Sequence, residues 1–131
     1  MSNIQIVYCV VFLLLLSACN DPQYVQGKAL YTHNCANCHI EDGSGLRGIV
    51  PPLAGSDFLK NNLADLPCLV RFGLKSGKPI NGKIYELDMP PNPDMTDVEI
   101  ANLMNYLTNE WGAKEPFVQN EKVTEAIKNC K

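Results

Sequence analysis

The chain has 131 residues, 46% of them hydrophobic, and its 11 basic and 14 acidic side chains leave a formal charge of −3 at pH 7. A chain of this length forms one domain with a small core. Nucleic acid is excluded as a partner, because the acidic balance leaves no basic stripe to neutralise phosphates.

A hydrophobic segment at the start of the chain lies outside the predicted fold. Ile6 to Leu16 is an unbroken apolar run, too short to span a bilayer and typical of a signal peptide. It runs into the tetrapeptide LSAC at positions 16–19, which resembles the lipobox of bacterial lipoproteins. In that class, cleavage leaves the cysteine as the new N-terminus, and its sulfur receives a diacylglycerol.

The resemblance implies a signal peptide over residues 1–18, a lipid on Cys19 and a lipid-anchored linker over 19–24. The domain would then lie outside the cytoplasm, on the periplasmic face of a bacterial membrane. Residues 1–19 contain no Lys or Arg. An uncleaved hydrophobic anchor and an ordinary secretory signal therefore remain as alternatives.

Residues 24–37 predict the first helix, with Val25, Leu30 and Tyr31 on its apolar side. Near its end comes the motif that carries most chemical information.

Two thiols three positions apart, Cys35 and Cys38, are followed at once by His39, which is the pattern of covalent haem attachment. Positions i, i+3 and i+4 share one face of a helix, so both sulfurs can reach one porphyrin while the imidazole points at the iron. We expect one covalent haem c. The alternative is half of a zinc site, whose further ligands are limited to Cys68, Cys130 and His33.

Glycines and prolines divide the middle of the chain into loops and short elements. Gly43 to Gly48 has the spacing of a dinucleotide fingerprint, but no strand precedes it and prolines follow where a helix should begin. We therefore predict a loop there. A short helix is expected from Pro67 to Gly73, with proline in its first turn and glycine just past its end. Asn81-Gly82 predicts the tight turn of a small hairpin.

Two helices are predicted in the last third of the chain. The stretch TDVE at 96–99 is a capping box, and the helix it opens runs to about Trp111. Residues 116–129 are expected to form a last helix with Val123 and Ile127 facing inward. The domain therefore covers residues 25–131, with a C-terminal extension from about 113.

The cysteine count fits an oxidising compartment. Cys9 leaves with the signal peptide, Cys19 takes the lipid and two cysteines hold the haem, so Cys68 and Cys130 remain. We hypothesise that these two form a disulfide that ties the C-terminal segment to the middle of the domain.

An iron held by His39 needs a second axial ligand or an open site. Met89 is the leading candidate, because it lies among prolines that stiffen the backbone and remove N–H groups. Met95 is expected to staple onto the helix that follows it, and Met104 lies on a helix core face, where most methionines belong. Met95, an open site and a site ligated by His33 remain as alternatives.

These features together resemble the class I cytochrome c family, which has one haem with His/Met ligation, over roughly residues 24–112. Gly27 and Tyr31 stand where that family packs its first helix on its last. Leu103 and Tyr106 stand at the matching positions of the partner helix. The resemblance implies an all-α cytochrome c fold around the haem.

The same resemblance assigns roles to three residues around the iron. His39 and Met89 are the axial ligands it implies. Pro51 stands where the family has a proline whose carbonyl accepts the N–H of the ligating histidine, which orients the ring.

A neutral thioether ligand favours Fe(II), and two filled axial positions leave no open site for a substrate. We therefore expect a high-potential one-electron carrier without enzyme activity of its own. The five residues after Cys19, Asn20 to Tyr24, reach at most about 18 Å. The expected partners are therefore membrane redox complexes: a quinol-oxidising complex, a terminal oxidase or reductase, or a dehydrogenase. The alternatives are a cytochrome c subunit of an oxidase or dehydrogenase complex and a haem-based gas sensor, which would need Met89 to detach.

Two runs of charge offer a docking surface for such partners. The basic run consists of Arg71, Lys75, Lys78 and Lys83. The acidic run consists of Glu86, Asp88, Asp94, Asp97 and Glu99. Electrostatic docking is one interpretation, and an ordinary solvated surface is the other.

Overall fold

The computed structural model describes residues 22–112 and 116–130. In chain order the elements are helices α1 (Pro22–Asn34), α2 (Ala36–His39) and α3 (Asp57–Asn61), a 3₁₀ turn (Leu63–Asp65), helix α4 (Leu66–Phe72), strands β1 (Pro79–Ile80) and β2 (Lys83–Ile84), and helices α5 (Asp97–Glu110) and α6 (Asn120–Lys128). The predicted signal peptide and residues 19–21 of the predicted linker, Cys19 included, lie outside the described residues. The rest of the predicted linker, residues 22–24, is the beginning of helix α1 instead. None of the helices in the described part is both long and apolar enough to cross a membrane.

Helices α1 and α5 pack against each other at Gly27. A Cβ atom on this residue would overlap the backbone oxygen of Asn102 and would come within 2.6 Å of the Cβ of Tyr106. One turn further along α1, the fully buried Tyr31 places its ring centroid 5.6 Å from that of Tyr106. The predicted partner Leu103 is also buried, but Asn102 and Tyr106 are the residues that Gly27 meets.

An aromatic cluster closes the end of this helix pair. The ring of Trp111, just after α5, lies 5.0 Å from Tyr31 and 5.8 Å from Tyr106, centroid to centroid, both with edge-to-face geometry. The hydroxyl of Tyr31 donates a hydrogen bond to the carbonyl of Ile40. Since Ile40 follows His39 directly, the helix pair is fixed to the end of the Cys-His motif.

The central predictions for the later elements are confirmed. Helix α4 has Pro67 in its first turn and ends at Phe72. The hairpin pairs β1 with β2 in antiparallel register. At the start of α5 the Thr96 hydroxyl accepts the Glu99 N–H, and the Glu99 carboxylate accepts the Thr96 N–H, which completes the capping box.

Two features near the motif differ from the sequence-based expectations. The first helix ends at Asn34 instead of residue 37, because Cys35 leaves helical geometry and the motif continues on the separate short helix α2. Val25 is 59% exposed and does not face the core. The stripe of α1 that packs on α5 is narrow, with Gly27 and Tyr31 as its buried positions.

Helix α3 and the 3₁₀ turn were not predicted. Helix α3 begins after Ser56, whose buried hydroxyl accepts the N–H of Leu59, and it buries the Leu59 side chain. A helix this short shows no helical periodicity of apolar residues in the sequence.

The C-terminal segment, residues 116–130, packs on α4 and α5. Its helix α6 is shorter than the predicted 116–129, and Val123 is fully buried while Ile127 is half-buried. The Asn105 side chain on α5 receives the Val118 N–H at 2.8 Å and donates to the Val118 carbonyl at 2.9 Å. Cys130 is joined to Cys68 on α4 by a disulfide.

Candidate functional site

An apolar cleft lies between the Cys-His motif, helices α3 to α5 and the loop that follows the hairpin. It contains about 1120 Å³ of free space, open solvent at its mouth included, and a concave, mostly apolar cleft is the usual form of a cofactor site. Its walls include the aliphatic side chains of Val50, Leu59, Leu66, Val70, Leu103 and Leu107. Such walls exclude water from whatever the cleft holds.

The two motif cysteines line this cleft on one turn of backbone. The N–H groups of Cys38 and His39 both donate to the carbonyl of Cys35, at 3.0 and 2.9 Å. Neither cysteine is in a disulfide, and Cys35 is half-buried while Cys38 is exposed. Burial, with the neighbouring Cys38, raises the pKa of the Cys35 thiol to about 11, so the unmodified thiol is protonated at neutral pH.

The His39 ring is held in one orientation by the loop that follows it. Its Nδ1 lies 3.1 Å from the carbonyl oxygen of Pro51. The loop is folded back to make this contact, because the N–H of Gly45 donates to the His39 carbonyl and the N–H of Leu53 donates to the Gly43 carbonyl.

Burial lowers the pKa of His39, and the hydrogen bond to the Pro51 carbonyl opposes this shift only in part. The imidazole is therefore neutral at neutral pH. With Nδ1–H donated to Pro51, the lone pair is on Nε2, which is the state that binds a metal ion.

Met89 lines the same cleft. Its backbone is fixed by hydrogen bonds to Leu74, which follows α4 and Gly73. Its N–H donates to the Leu74 carbonyl at 2.9 Å, and its carbonyl accepts the Leu74 N–H at 3.1 Å. Gly73 packs directly on the Met89 carbonyl. The N–H of Asn92 donates to the carbonyl of Val70 at 3.0 Å, which holds the proline-rich loop after Met89 against α4.

The alternative iron ligands lie elsewhere in the described structure. Met95 and Met104 are both buried in the hydrophobic core, and neither is among the residues that line the cleft. His33 is exposed on the outer face of α1, next to a shallow surface groove.

In the part of the chain that the structure describes, the further zinc ligands that the sequence offered do not gather around the motif. In the described ranges, no three His, Cys, Asp or Glu side chains are grouped as a metal ion would require. Cys68 is bonded to Cys130, far along the chain from the motif.

The two charge runs form ion pairs with each other at two places. Arg71 Nη2 lies 2.7 Å from Asp97 Oδ1, and Lys75 Nζ lies 2.8 Å from Asp88 Oδ2. Hydrogen bonds from Lys75 and from the Ser76 N–H lower the pKa of Asp88 to about 2. The basic run therefore offers fewer charges to a partner than its sequence indicated.

Gly73 and Leu74 are site residues that the sequence did not reveal. Gly73 was predicted only as a helix end, and Leu74 carried no expectation. Both act on Met89 through backbone atoms, and backbone pairing between distant segments leaves no side-chain pattern to recognise.

The comparison with known proteins agrees with this geometry. The sequence profile described as cytochrome c matches residues 24–111. The chain belongs to the cytochrome c family. The predicted all-α cytochrome c fold and haem c cofactor are thereby confirmed, and the family is one of electron carriers.

Three relatives show the range of proteins to which this cytochrome is similar. Cytochrome c-552 of Thermus thermophilus is 31% identical over 90 residues, which is 66% of this chain and 68% of the relative. The cytochrome c subunit of alcohol dehydrogenase (quinone) from Gluconobacter oxydans (strain 621H) is 34% identical over 92 residues, 69% of this chain. The corresponding subunit from Gluconacetobacter polyoxogenes is 30% identical over 95 residues, 70% of this chain. The matches cover only 19% and 20% of those two subunits.

The residues of the cleft fit a haem c. Two thiols without disulfide partners, an imidazole with a free Nε2 and a thioether all line one cavity with apolar walls. These are the groups that thioether attachment and axial ligation of a haem iron require.

Proposed function

We propose that this cytochrome is a membrane-tethered one-electron carrier in which Cys35 and Cys38 form the thioether bonds and His39 and Met89 are the axial ligands. The observation that carries the proposal is that these four side chains line one apolar cleft. When bound, haem c supplies an iron that gains and loses one electron. Pro51 orients His39 through its carbonyl.

The residues of the cleft are expected to raise the reduction potential of a bound haem iron. A neutral thioether from Met89 favours the reduced iron, and the aliphatic walls disfavour the additional charge of the oxidised state. Both effects raise the potential. Two axial ligands leave no coordination position for a substrate, which is why a relay is expected and not a catalyst.

The ligand assignment is tested by the weak far-red absorption band of ferric haem bound to a methionine sulfur. We expect the wild-type protein to show this band and Met89→Ala to lose it. The matched control is Met95→Leu, which removes the alternative thioether from the core and should keep the band. A band that survives in Met89→Ala and disappears in Met95→Leu would reverse the assignment.

Carbon monoxide tests the gas-sensor alternative. The N–H and the carbonyl of Met89 both form hydrogen bonds with Leu74, which holds the loop in place. We therefore expect no spectral shift when carbon monoxide is added to the reduced protein at neutral pH. Met89→Ala should give the shift and serves as the positive control. A shift of similar size in the wild type would favour a sensor.

The tether to the membrane rests on the LSAC tetrapeptide at 16–19 and on the short linker that follows it. We propose that residues 1–18 are removed, that Cys19 carries the lipid, and that the domain over 25–131 works at the periplasmic face. In cells expressing the full chain, wild-type protein should be found in membranes with the mass of a lipidated N-terminus. Cys19→Ala should lose the lipid, whereas Cys9→Ala should keep it.

Two outcomes would contradict the lipid anchor. Membrane-bound Cys19→Ala protein that retains residues 1–18 would indicate an uncleaved hydrophobic anchor. Wild-type protein that is released into the periplasm without lipid would indicate an ordinary secretory signal.

The partners are proposed to be membrane redox complexes, with a quinol-oxidising complex as donor and a terminal oxidase or reductase as acceptor. A second candidate function is that of a subunit in a dehydrogenase complex. The relatives named as cytochrome c subunits of alcohol dehydrogenase (quinone) favour it. Purification from native membranes in mild detergent separates the two. A carrier should elute without a stoichiometric catalytic chain, and a subunit should elute with one.

A further inference from the structure

The C-terminal segment lies beyond the family match over 24–111, and it contacts the helix that forms one wall of the cleft. On α4, Leu66, Leu69 and Val70 line the cleft. Cys68 and Arg71, which are three positions apart and so share one helix face, are bonded elsewhere. Cys68 is joined to the C-terminal segment by the disulfide.

Arg71 is linked to the same segment through Asp97. The Thr124 hydroxyl on α6 donates to Asp97 Oδ2 at 2.7 Å, and Arg71 Nη2 lies 2.7 Å from Asp97 Oδ1. Arg71 Nη1 then donates to the carbonyl of Pro93 at 3.0 Å. The side chains of Arg71 and Asp97 are 18% and 31% exposed, so this hydrogen-bond chain is partly shielded from water.

Pro93 is the far end of the loop that begins at Met89. The near end is held by the backbone bonds between Met89 and Leu74, and the middle is held by two hydrogen bonds from Asn92 to the Val70 carbonyl. Every one of these anchors is on α4 or the residues directly after it. The loop that carries Met89 is therefore attached to α4 at its beginning, middle and end.

We propose that the C-terminal segment is a clasp that positions Met89, through the hydrogen-bond chain from Thr124 to Pro93 and through the Cys68–Cys130 disulfide. This inference rests on the proposed ligation by Met89. Thr124 and Cys130 are not among the residues that line the cleft. They are positioning residues, which act on the ligand through Arg71 and α4.

Imidazole binding to the ferric protein measures this positioning directly. Imidazole competes with Met89 for the iron, so its apparent affinity rises with the fraction of molecules in which the Met89 loop is displaced. A residue that only attaches the C-terminal segment to the domain would change thermal stability without changing imidazole affinity at room temperature.

The decisive variant is Thr124→Val in the full-length holoprotein, because it removes the hydroxyl and keeps the shape. Loss of a hydrogen bond to a charged group, transmitted to the loop, should lower the apparent Kd for imidazole about tenfold. Thr124→Ser retains the donor and should remain close to wild type.

The matched control is Thr32→Val. The Thr32 hydroxyl on α1 donates to Glu41 Oε1 at 3.1 Å, so this variant breaks the same kind of hydrogen bond away from α4. It should bind imidazole as the wild type does. Cys130→Ser tests the disulfide, and it should also lower the Kd; an unchanged value there would remove the disulfide from the clasp.

Met89→Ala separates failure of the clasp from failure of the ligand assignment. It should bind imidazole more tightly than any clasp variant and should lack the far-red band. If it does so while Thr124→Val binds imidazole like the wild type, the clasp is overturned and the ligation stands. If Met89→Ala changes neither the imidazole Kd nor the band, the ligation itself is wrong.

Discussion

Leu74 and Met89 form an isolated antiparallel bridge, with hydrogen bonds of 3.1 and 2.9 Å between their backbones. The bridge connects the end of α4 to the loop that presents the proposed thioether ligand. Three features of the sequence meet there: the proline-rich loop, the glycine that ends α4 and the helix that forms one cleft wall. Predictions about this bridge therefore test how the loop is held.

Gly73→Ala should disturb both the fold and the position of Met89. Gly73 has a φ of +79°, and an added Cβ would meet the Met89 carbonyl oxygen and approach the nitrogen of Pro91 within 3.0 Å. The backbone strain and the displaced loop together should lower the free energy of unfolding by about 3 kcal/mol. Denaturant titration measures this loss, and the far-red band should weaken.

Gly55→Ala is the matched control for that substitution. Gly55 has a φ of +70°, nothing lies within 4 Å of the added Cβ, and the residue is not among those that line the cleft. Only the backbone strain remains, so the loss should be about 1 kcal/mol with an unchanged band. Equal effects at the two glycines would mean that contact with the Met89 loop is unimportant.

Gly27→Ala should separate helices α1 and α5. The added Cβ would overlap the Asn102 backbone, which cannot move away without shifting the whole helix. We expect a loss of about 3 kcal/mol or more in the free energy of unfolding. Lys28→Ala, an exposed neighbour on α1, should remain within about 0.5 kcal/mol of wild type. A tolerated Gly27→Ala would show that the helices repack more easily than their contact indicates.

The capping box at the start of α5 makes stability depend on pH. Hydrogen bonds from the N–H and the hydroxyl of Thr96 lower the pKa of Glu99 below its ordinary value of 4.5. A carboxylate whose pKa is lowered by folding stabilises the folded state at every pH above its ordinary pKa. This contribution to stability is lost as the pH falls through the pKa that the carboxylate has in the folded protein.

Glu99→Gln should therefore be less stable than wild type at pH 7, and the difference should shrink as the pH falls below 4.5. Urea midpoints at a series of pH values measure it. The control Glu86→Gln, at an exposed position before α5, should show no comparable trend. A difference in stability between wild type and Glu99→Gln that grows toward low pH would contradict the assigned role of Glu99.

Loss of the Cys68–Cys130 disulfide should destabilise the domain through the unfolded chain. The bond joins residues 62 positions apart, and closing a loop of that size is expected to contribute about 4 kcal/mol on the chain-entropy account. Cys130→Ser should lose most of this amount in thermal or denaturant unfolding. The double variant with Cys68→Ser should cost little more, since either substitution alone removes the bond.

The sequence predicts most where local chemistry is sufficient. Thr96 and Glu99 lie in one turn, Asn81-Gly82 forms its own bend, and the Cys-His motif carries its own spacing, so neighbouring residues alone determine each of them. Gly27 and Pro51 were assigned through the resemblance to a family, because their partners, Asn102 and His39, come from other parts of the chain.

The missed features depend on contacts that only the folded chain creates. Leu74 reaches Met89 through backbone atoms, so its side chain gives no indication of the bridge. The basic run looked uniform, but folding brings Asp97 to Arg71 and Asp88 to Lys75. Charge read along a sequence cannot show which acids will lie opposite it.

The aromatic cluster gives this protein a built-in optical reporter. Trp111 is the single tryptophan of the chain, and its ring packs on Tyr31 and on the loop at Gly43. Its emission should therefore respond when the α1–α5 pair separates, whereas the far-red band responds when Met89 moves. Recording both signals during one unfolding experiment asks whether the two ends of the cytochrome come apart together. Coincident curves would mark one cooperative unit, and separated curves would identify the Met89 loop as a region that opens first.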